Sequence, residues 1–228
     1  MKISEVFASI QGEGLLAGVP SLFIRVSGCN LRCVWCDTPY TSWNPEGDDW
    51  SMQRILDWVG EYQHYRHVVV TGGEPMLFEE TARLSEVLKV SGLHVTIETS
   101  GSVYIRTKCD LMSISPKLAN STPRDRDGGR WAAQHDRARL NLDVIRRLMT
   151  EHEYQLKFVV VEPADLDEIL ELVSQTGASP ERVLLMPEGV DAGTLAARSG
   201  WIVDRCKQHG FRFCPRLHVM LYGSRRGV

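Results

Sequence analysis

Gly28-Cys29-Asn30-Leu31-Arg32-Cys33-Val34-Trp35-Cys36-Asp37-Thr38 places three cysteines within eight residues, a density that no packing requirement asks for. The spacing, Cys-x3-Cys-x2-Cys, offers three thiolates from one loop. A closed tetrahedral zinc site takes four ligands and usually shows a second cysteine or histidine pair. None follows here, since Cys109, Cys206 and Cys214 stand singly and are read as small apolar fillers. Three thiolates suit a four-iron, four-sulfur (4Fe-4S) cube with one iron left open, and an open metal position is where substrate chemistry takes place. The competing reading is a disulfide or zinc knuckle without catalysis.

Working outward, residues 21–26 form a nearly continuous apolar run that feeds directly into the cysteine loop, with one charge, Arg25, near its end. Downstream, strand-like runs at 67–70, 94–97, 111–114, 156–161 and 183–186 alternate with helical stretches at 53–62, 78–90, 140–150, 164–175 and 194–208. In the fourth of these helices Leu166, Ile169, Leu170 and Val173 recur on one face. Alternation of this kind predicts an α/β fold, a partial TIM-like barrel with about six parallel strands and outer helices. The 228 residues are read as a single domain, with an exposed insertion near 120–137 and a strand-like tail over 215–228. His135, His152 and His209 are read as surface residues.

Ligands in such barrels gather at the C-terminal ends of the strands. Thr71-Gly72-Gly73-Glu74-Pro75 follows one strand, Glu98-Thr99-Ser100-Gly101 another, Ser115-Pro116-Lys117 a third and Met186-Pro187-Glu188-Gly189 a fourth. Upstream, Gln11-Gly12-Glu13-Gly14 brackets a carboxylate with glycines. Each such stretch is by itself compatible with turn or capping chemistry. Lys157 lies inside an otherwise apolar strand, and burying it requires a partner. The net charge of −3 argues against direct nucleic-acid binding. No apolar run approaches the ~20 residues of a membrane span. The first residues lack the apolar stretch of a signal peptide, so the expected compartment is the cytoplasm, where thiols stay reduced.

The cysteine spacing, with Trp35 before the third cysteine, resembles the signature of the radical S-adenosylmethionine (SAM) enzymes, and Gly72-Gly73-Glu74 resembles their motif for the amino group of SAM. Ile10-Gln11-Gly12-Glu13-Gly14, Arg25, Cys36-Asp37-Thr38, Ser115-Pro116-Lys117 and the Arg216-Leu217-His218 tail together are similar to one family, the 7-carboxy-7-deazaguanine synthases. The resemblance implies a carbon–nitrogen lyase in queuosine or other 7-deazapurine biosynthesis. Such an enzyme turns 6-carboxy-5,6,7,8-tetrahydropterin into 7-carboxy-7-deazaguanine with loss of ammonia. It further implies a 4Fe-4S cluster on Cys29, Cys33 and Cys36, SAM, and a magnesium ion on Thr38. Ile10, Gln11, Gly12, Glu13, Arg25, Thr71, His218 and Val228 would meet the substrate. Trp35, Gly73, Glu74, Ser115, Pro116, Lys117, Met186, Pro187, Glu188 and Gly189 would meet SAM. A homodimer and a donor such as flavodoxin or ferredoxin are implied as partners. The alternatives are an activase that installs a glycyl radical on a protein, and an iron–sulfur electron carrier or structural metal module.

Overall fold

A computed structural model describes residues 1–228. Nine strands form one open sheet: β1 (Lys2–Ile10), β2 (Pro20–Val26), β3 (Asp48–Asp49), β4 (His67–Gly72), β5 (His94–Thr99), β6 (Leu111–Ile114), β7 (Tyr154–Val160), β8 (Val183–Pro187) and β9 (Arg212–Phe213). Their order is β3-β1-β2-β4-β5-β6-β7-β8-β9. From β2 to β9 every pair is parallel, and β1 joins β2 antiparallel with β3 on its outer side. The six strands expected from the sequence are thus the parallel centre, and β1, β3 and β9 extend it to open edges. The central strands read as unbroken apolar runs because a parallel sheet is covered on both faces. In β4 the five residues His67 to Thr71 are all buried.

Helices α1 (Pro39–Ser42), α2 (Met52–Gly60), α3 (Glu79–Val90), α4 (Ala132–Ala138), α5 (Leu142–Glu151), α6 (Asp165–Thr176), α7 (Ala192–His209) and α8 (Leu217–Tyr222) complete the chain. Local chemistry sets their limits. Asp191 caps α7 by accepting from the Thr194 N–H at 2.8 Å, and Gly210 ends it in the left-handed conformation.

His67, at the start of β4, is buried between two hydroxyls. The Ser21 hydroxyl donates to the Val19 carbonyl, so at 2.7 Å its oxygen accepts from Nδ1–H of His67. Nε2 then accepts from the Thr96 hydroxyl, also at 2.7 Å, which requires a neutral ring. Burial and the neighbouring His94 lower its pKa to about 4.

Three expectations are corrected. The tail is helical at Leu217–Tyr222, not a strand: β9 stops at Phe213 and Pro215 follows, which has no N–H to offer a ladder. The segment 120–137 is no loose insertion. It holds two single turns of 3-10 helix and α4, and it buries Ser121, Thr122 and His135. His135 is therefore not a surface residue, while His152 and His209 are half-buried.

Candidate active site

The C-terminal ends of β2, β4, β5, β6, β7 and β8 open onto one cavity, which the cysteine loop, the turn after β1 and the chain's end also line. Cys29, Cys33 and Cys36 belong to its lining. No three His, Cys, Asp or Glu side chains converge on a single ion position. Three thiols from one loop that all face one cavity are a donor set that fits a cube with three thiolate ligands. Burial pushes the Cys29 and Cys33 thiols up to about 12, so they ionise only when a metal takes the charge.

The Gly72-Gly73 turn is pressed against this loop. A Cβ on Gly73 would lie 2.1 Å from the Gly28 carbonyl oxygen, so only glycine brings β4 this close. The Gly73 N–H donates to Val26 and the Glu74 N–H to Gly28, at 3.1 and 2.9 Å. Gly73 lines the cavity, but the Glu74 side chain does not. It is wholly buried. Oε1 accepts from the Thr99 hydroxyl at 2.7 Å and the Met76 N–H at 3.1 Å, and Oε2 accepts from the Ser100 N–H at 2.8 Å and the Ser100 hydroxyl. The acceptor positions of this carboxylate are filled by donors of the turns after β4 and β5, and it is the Gly73 backbone that faces the cavity.

Of the other residues assigned toward SAM, Trp35, Ser115, Lys117 and Met186 line the cavity. Lys117 donates to the carbonyl and the hydroxyl of Ser115, both at 2.9 Å, and lies 5.8 Å from the Trp35 ring centre. Pro116, Pro187, Glu188 and Gly189 lie outside the lining. Glu188 is ion-paired with Arg198 of α7, and the Gly189 carbonyl accepts from Arg216 at 2.7 Å.

The same cavity holds an ionic network centred on Glu13. Lys157, from the middle of β7, donates to Oε2, and Arg216 donates through Nε to Oε1 at 3.0 Å. Arg216 also pairs with Asp37, next to Cys36. Burial alone would raise the Glu13 pKa, but Lys157, then Arg216 and His218, override it and hold the carboxyl well below its ordinary range. Burial likewise opposes the Lys157 charge, and Glu13 overrides it and raises that pKa. His218, 4.0 Å from Glu13, is lowered by its own burial despite the carboxylate, which favours the neutral ring. A Cβ on Gly12 would sit 1.9 Å from its Nδ1, so the first glycine of the turn admits the tail.

Arg25 uses only Nε, on Glu5 at 2.7 Å, which leaves both terminal nitrogens unspent. Its guanidinium lies 5.7 Å from the Phe7 ring centre, and Phe7 stacks on Phe23 with centroids 4.8 Å apart. Ile10, Gln11 and Thr71 line the same wall, as do Thr38 and Val228. Sequence reasoning missed Glu98 as a site residue. Its oxygens accept from Gln11 at 3.1 Å and from the Thr71 hydroxyl at 2.7 Å, and it faces the cavity. The available signal was a lone carboxylate at the end of an apolar strand. Glu5, Tyr40, Asp37 and Arg216 were missed too, because each acts through partners far away in sequence.

Comparison with known proteins agrees with this geometry. Residues 23–132 match the Radical SAM superfamily. The chain is 43% identical to the 7-carboxy-7-deazaguanine synthase of Halobacterium salinarum, over 98% of this chain and 91% of that protein. It is also 43% identical to that of Rhodopirellula baltica, over 99% and 88%. The crystal structure of QueE from Escherichia coli superposes with a TM-score of 0.69 at 25% identity, covering 93% of this chain and 92% of the other. With relatives this similar over nearly the whole length, the chain belongs to the 7-carboxy-7-deazaguanine synthase family of radical SAM enzymes.

Proposed function

We propose that this chain converts 6-carboxy-5,6,7,8-tetrahydropterin to 7-carboxy-7-deazaguanine in the cavity described above, feeding queuosine or another 7-deazapurine. The observation that carries this reading is continuity: the three thiols, the Gly73 turn and the group Arg25, Glu13 and His218 line one cavity. When bound, the 4Fe-4S cluster and SAM would supply the radical chemistry that the conversion needs. The chain's own residues do the rest. Cys29, Cys33 and Cys36 would hold three irons, and the Gly73 backbone with Ser115, Lys117 and Met186 would orient SAM.

Arg25 presents two terminal nitrogens, as a bidentate clasp on the substrate carboxylate needs, while Glu5 fixes its fork through Nε. The Phe7–Phe23 stack offers a flat apolar wall to a planar ring. Gln11, Thr71 and Glu98 form a fixed polar edge, and Glu13 is kept anionic by Lys157 and Arg216. Such a set reads the amide-like edge of a pterin. Thr38 offers a hard oxygen for magnesium. Because carboxylates do not converge there, the remaining ligands would be water and substrate. A flavodoxin or ferredoxin as donor, a homodimer and a cytoplasmic setting complete the reading, and no helix is long and apolar enough to cross a membrane.

A glycyl-radical activase must admit a polypeptide, whereas here residues 223–228 of the chain's own tail line the cavity. Anaerobic reconstitution followed by one assay with SAM, a reductant and the pterin tests the proposal. The expected product is 7-carboxy-7-deazaguanine; SAM cleavage that is indifferent to the pterin overturns it.

A further inference from the structure

Beyond Lys117, the stretch that leads to α5 has no role in the reaction as described, yet it grips the cysteine loop at three residues interleaved with the ligands. The Arg32 N–H donates to Nδ1 of His135 at 3.1 Å, the Val34 N–H to the Ser121 carbonyl at 2.8 Å, and the Trp35 indole to Oδ1 of Asn120 at 3.1 Å. Cys33 lies between the first two contacts and Cys36 directly after the third.

His135 is held as rigidly as the loop it holds. A backbone N–H can only donate, so Nδ1 is the acceptor. The Ser121 hydroxyl donates to the Leu118 carbonyl at 2.6 Å, so its oxygen accepts Nε2–H of His135 at 2.9 Å. Both ring nitrogens are thereby used and the ring is neutral, with 1% of its surface exposed. The segment is in turn anchored to the barrel. Asn120 donates to the Val159 carbonyl at 3.2 Å and to Asp165 at 2.8 Å, and the Ala119 N–H donates to Glu168 of α6 at 2.8 Å.

We propose that residues 118–139 form a clamp that presets the cysteine loop for its cluster, with His135 as the positioning residue. Nδ1 fixes the loop backbone between Cys29 and Cys33, so the thiols stand in place before iron arrives, and they release it slowly afterwards. This rests on the reading of the three cysteines as cluster ligands only for its second consequence; the first concerns the metal-free chain.

Three variants separate the acceptor from mere bulk. His135→Asn keeps a short-armed oxygen near the position of Nδ1 and loses the donor to Ser121. His135→Gln keeps a polar group at the height of Nε2 and loses the acceptor for Arg32. His135→Ala loses both. Hydrogen exchange on the metal-free protein reads the loop directly. The Arg32 amide should exchange roughly tenfold faster in the Gln and Ala variants, as loss of one buried hydrogen bond implies, and near the wild-type rate in the Asn variant. In the reconstituted protein, cluster loss to an iron chelator, followed by absorbance, should rank the variants in the same order. Equal behaviour of the Asn and Gln variants in the exchange experiment overturns the proposal, and that comparison stands even where the Ala variant does not fold. Unchanged chelation rates beside altered exchange would overturn the cluster-retention role.

Discussion

Arg25 lines the cavity with nitrogens left to give, whereas Glu74 lies behind the lining with its oxygens already taken. Glu5 keeps Tyr40 at 2.9 Å and Arg226 at 3.3 Å when Arg25 is removed, so Arg25→Ala leaves no carboxylate stranded and should fold normally. Charge-assisted bonds to a desolvated ligand are worth ~1.5–3 kcal/mol, so titration with the pterin should show roughly ten- to hundredfold weaker binding. Affinity for SAM should be unchanged, and an equal loss of both would refute the division of roles between Arg25 and the residues assigned to SAM. Glu74→Ala strands buried donors on Met76, Thr99 and Ser100. At ~1–3 kcal/mol for each unsatisfied group, the metal-free protein should melt on the order of 10 °C lower, and wild-type melting would show that the carboxylate is no brace. Gly-Gly-Glu was legible as a strand-end site because glycines flag close backbone approach. Where the Glu74 side chain points was not, because its partners Thr99 and Ser100 lie 25 and 26 residues away. Lys157 was legible as needing a partner, but nothing in the sequence joins it to Glu13.

Elements repeat that contrast. The apolar centres of β4 through β8 and the amphipathic face of α6 could be read to within a few residues, since periodicity and burial agree there. The tail could not: Leu217–Tyr222 is too short for a helical period to emerge, and Met220, Leu221 and Tyr222 face outward. What fixes it is tertiary, the Leu217 N–H on the Gly12 carbonyl at 2.8 Å and Arg216 on Glu13 and Asp37. Beyond it, Arg226 ties the chain's end to Glu5 and Glu46. Deleting residues 225–228 removes those ties and part of the lining. Pterin turnover should fall while the cluster forms and slow, uncoupled SAM cleavage persists; full turnover would make the last residues dispensable. Strand β4 carries a pH dependence of its own. The His67 pKa is about 4 folded against 6.5 in a free chain, so its contribution is complete above about 6.5 and is lost as pH falls toward 4, where the unfolded chain binds the extra proton. That window is worth about 3 kcal/mol. In denaturant titrations of the metal-free protein, stability should fall with acid, and His67→Gln should lower the slope by one proton; an unchanged slope excludes His67 as a source.

At the scale of the whole molecule, parallel order sends the C-terminal ends of β2 and β4 through β8 to one side, and the chemistry gathers there while the core lies elsewhere. The main cluster of 29 buried apolar residues draws on the central strands and the helices α2, α3, α5, α6 and α7, and it includes none of Cys29, Cys33 and Cys36. The cysteine loop is held instead by protein contacts: Gly28 on the Thr41 carbonyl, Glu74 on the Gly28 carbonyl, and Val34 on the Ser121 carbonyl, at 2.8–2.9 Å. A structural metal module has the opposite arrangement, since its binding energy is its folding energy and a chelator unfolds it. Removing iron anaerobically should therefore leave the far-ultraviolet circular dichroism and a single cooperative melting transition intact. The midpoint should fall only by the mass-action share of the bound cofactor, ~2–4 °C for each kcal/mol in a chain of this size. Any one of Cys29→Ala, Cys33→Ala or Cys36→Ala should abolish the cluster absorbance and SAM cleavage while melting like the metal-free wild type. A chain that unfolds on chelation, or an intact cluster in Cys33→Ala, would mean that the loop serves the fold and not the reaction.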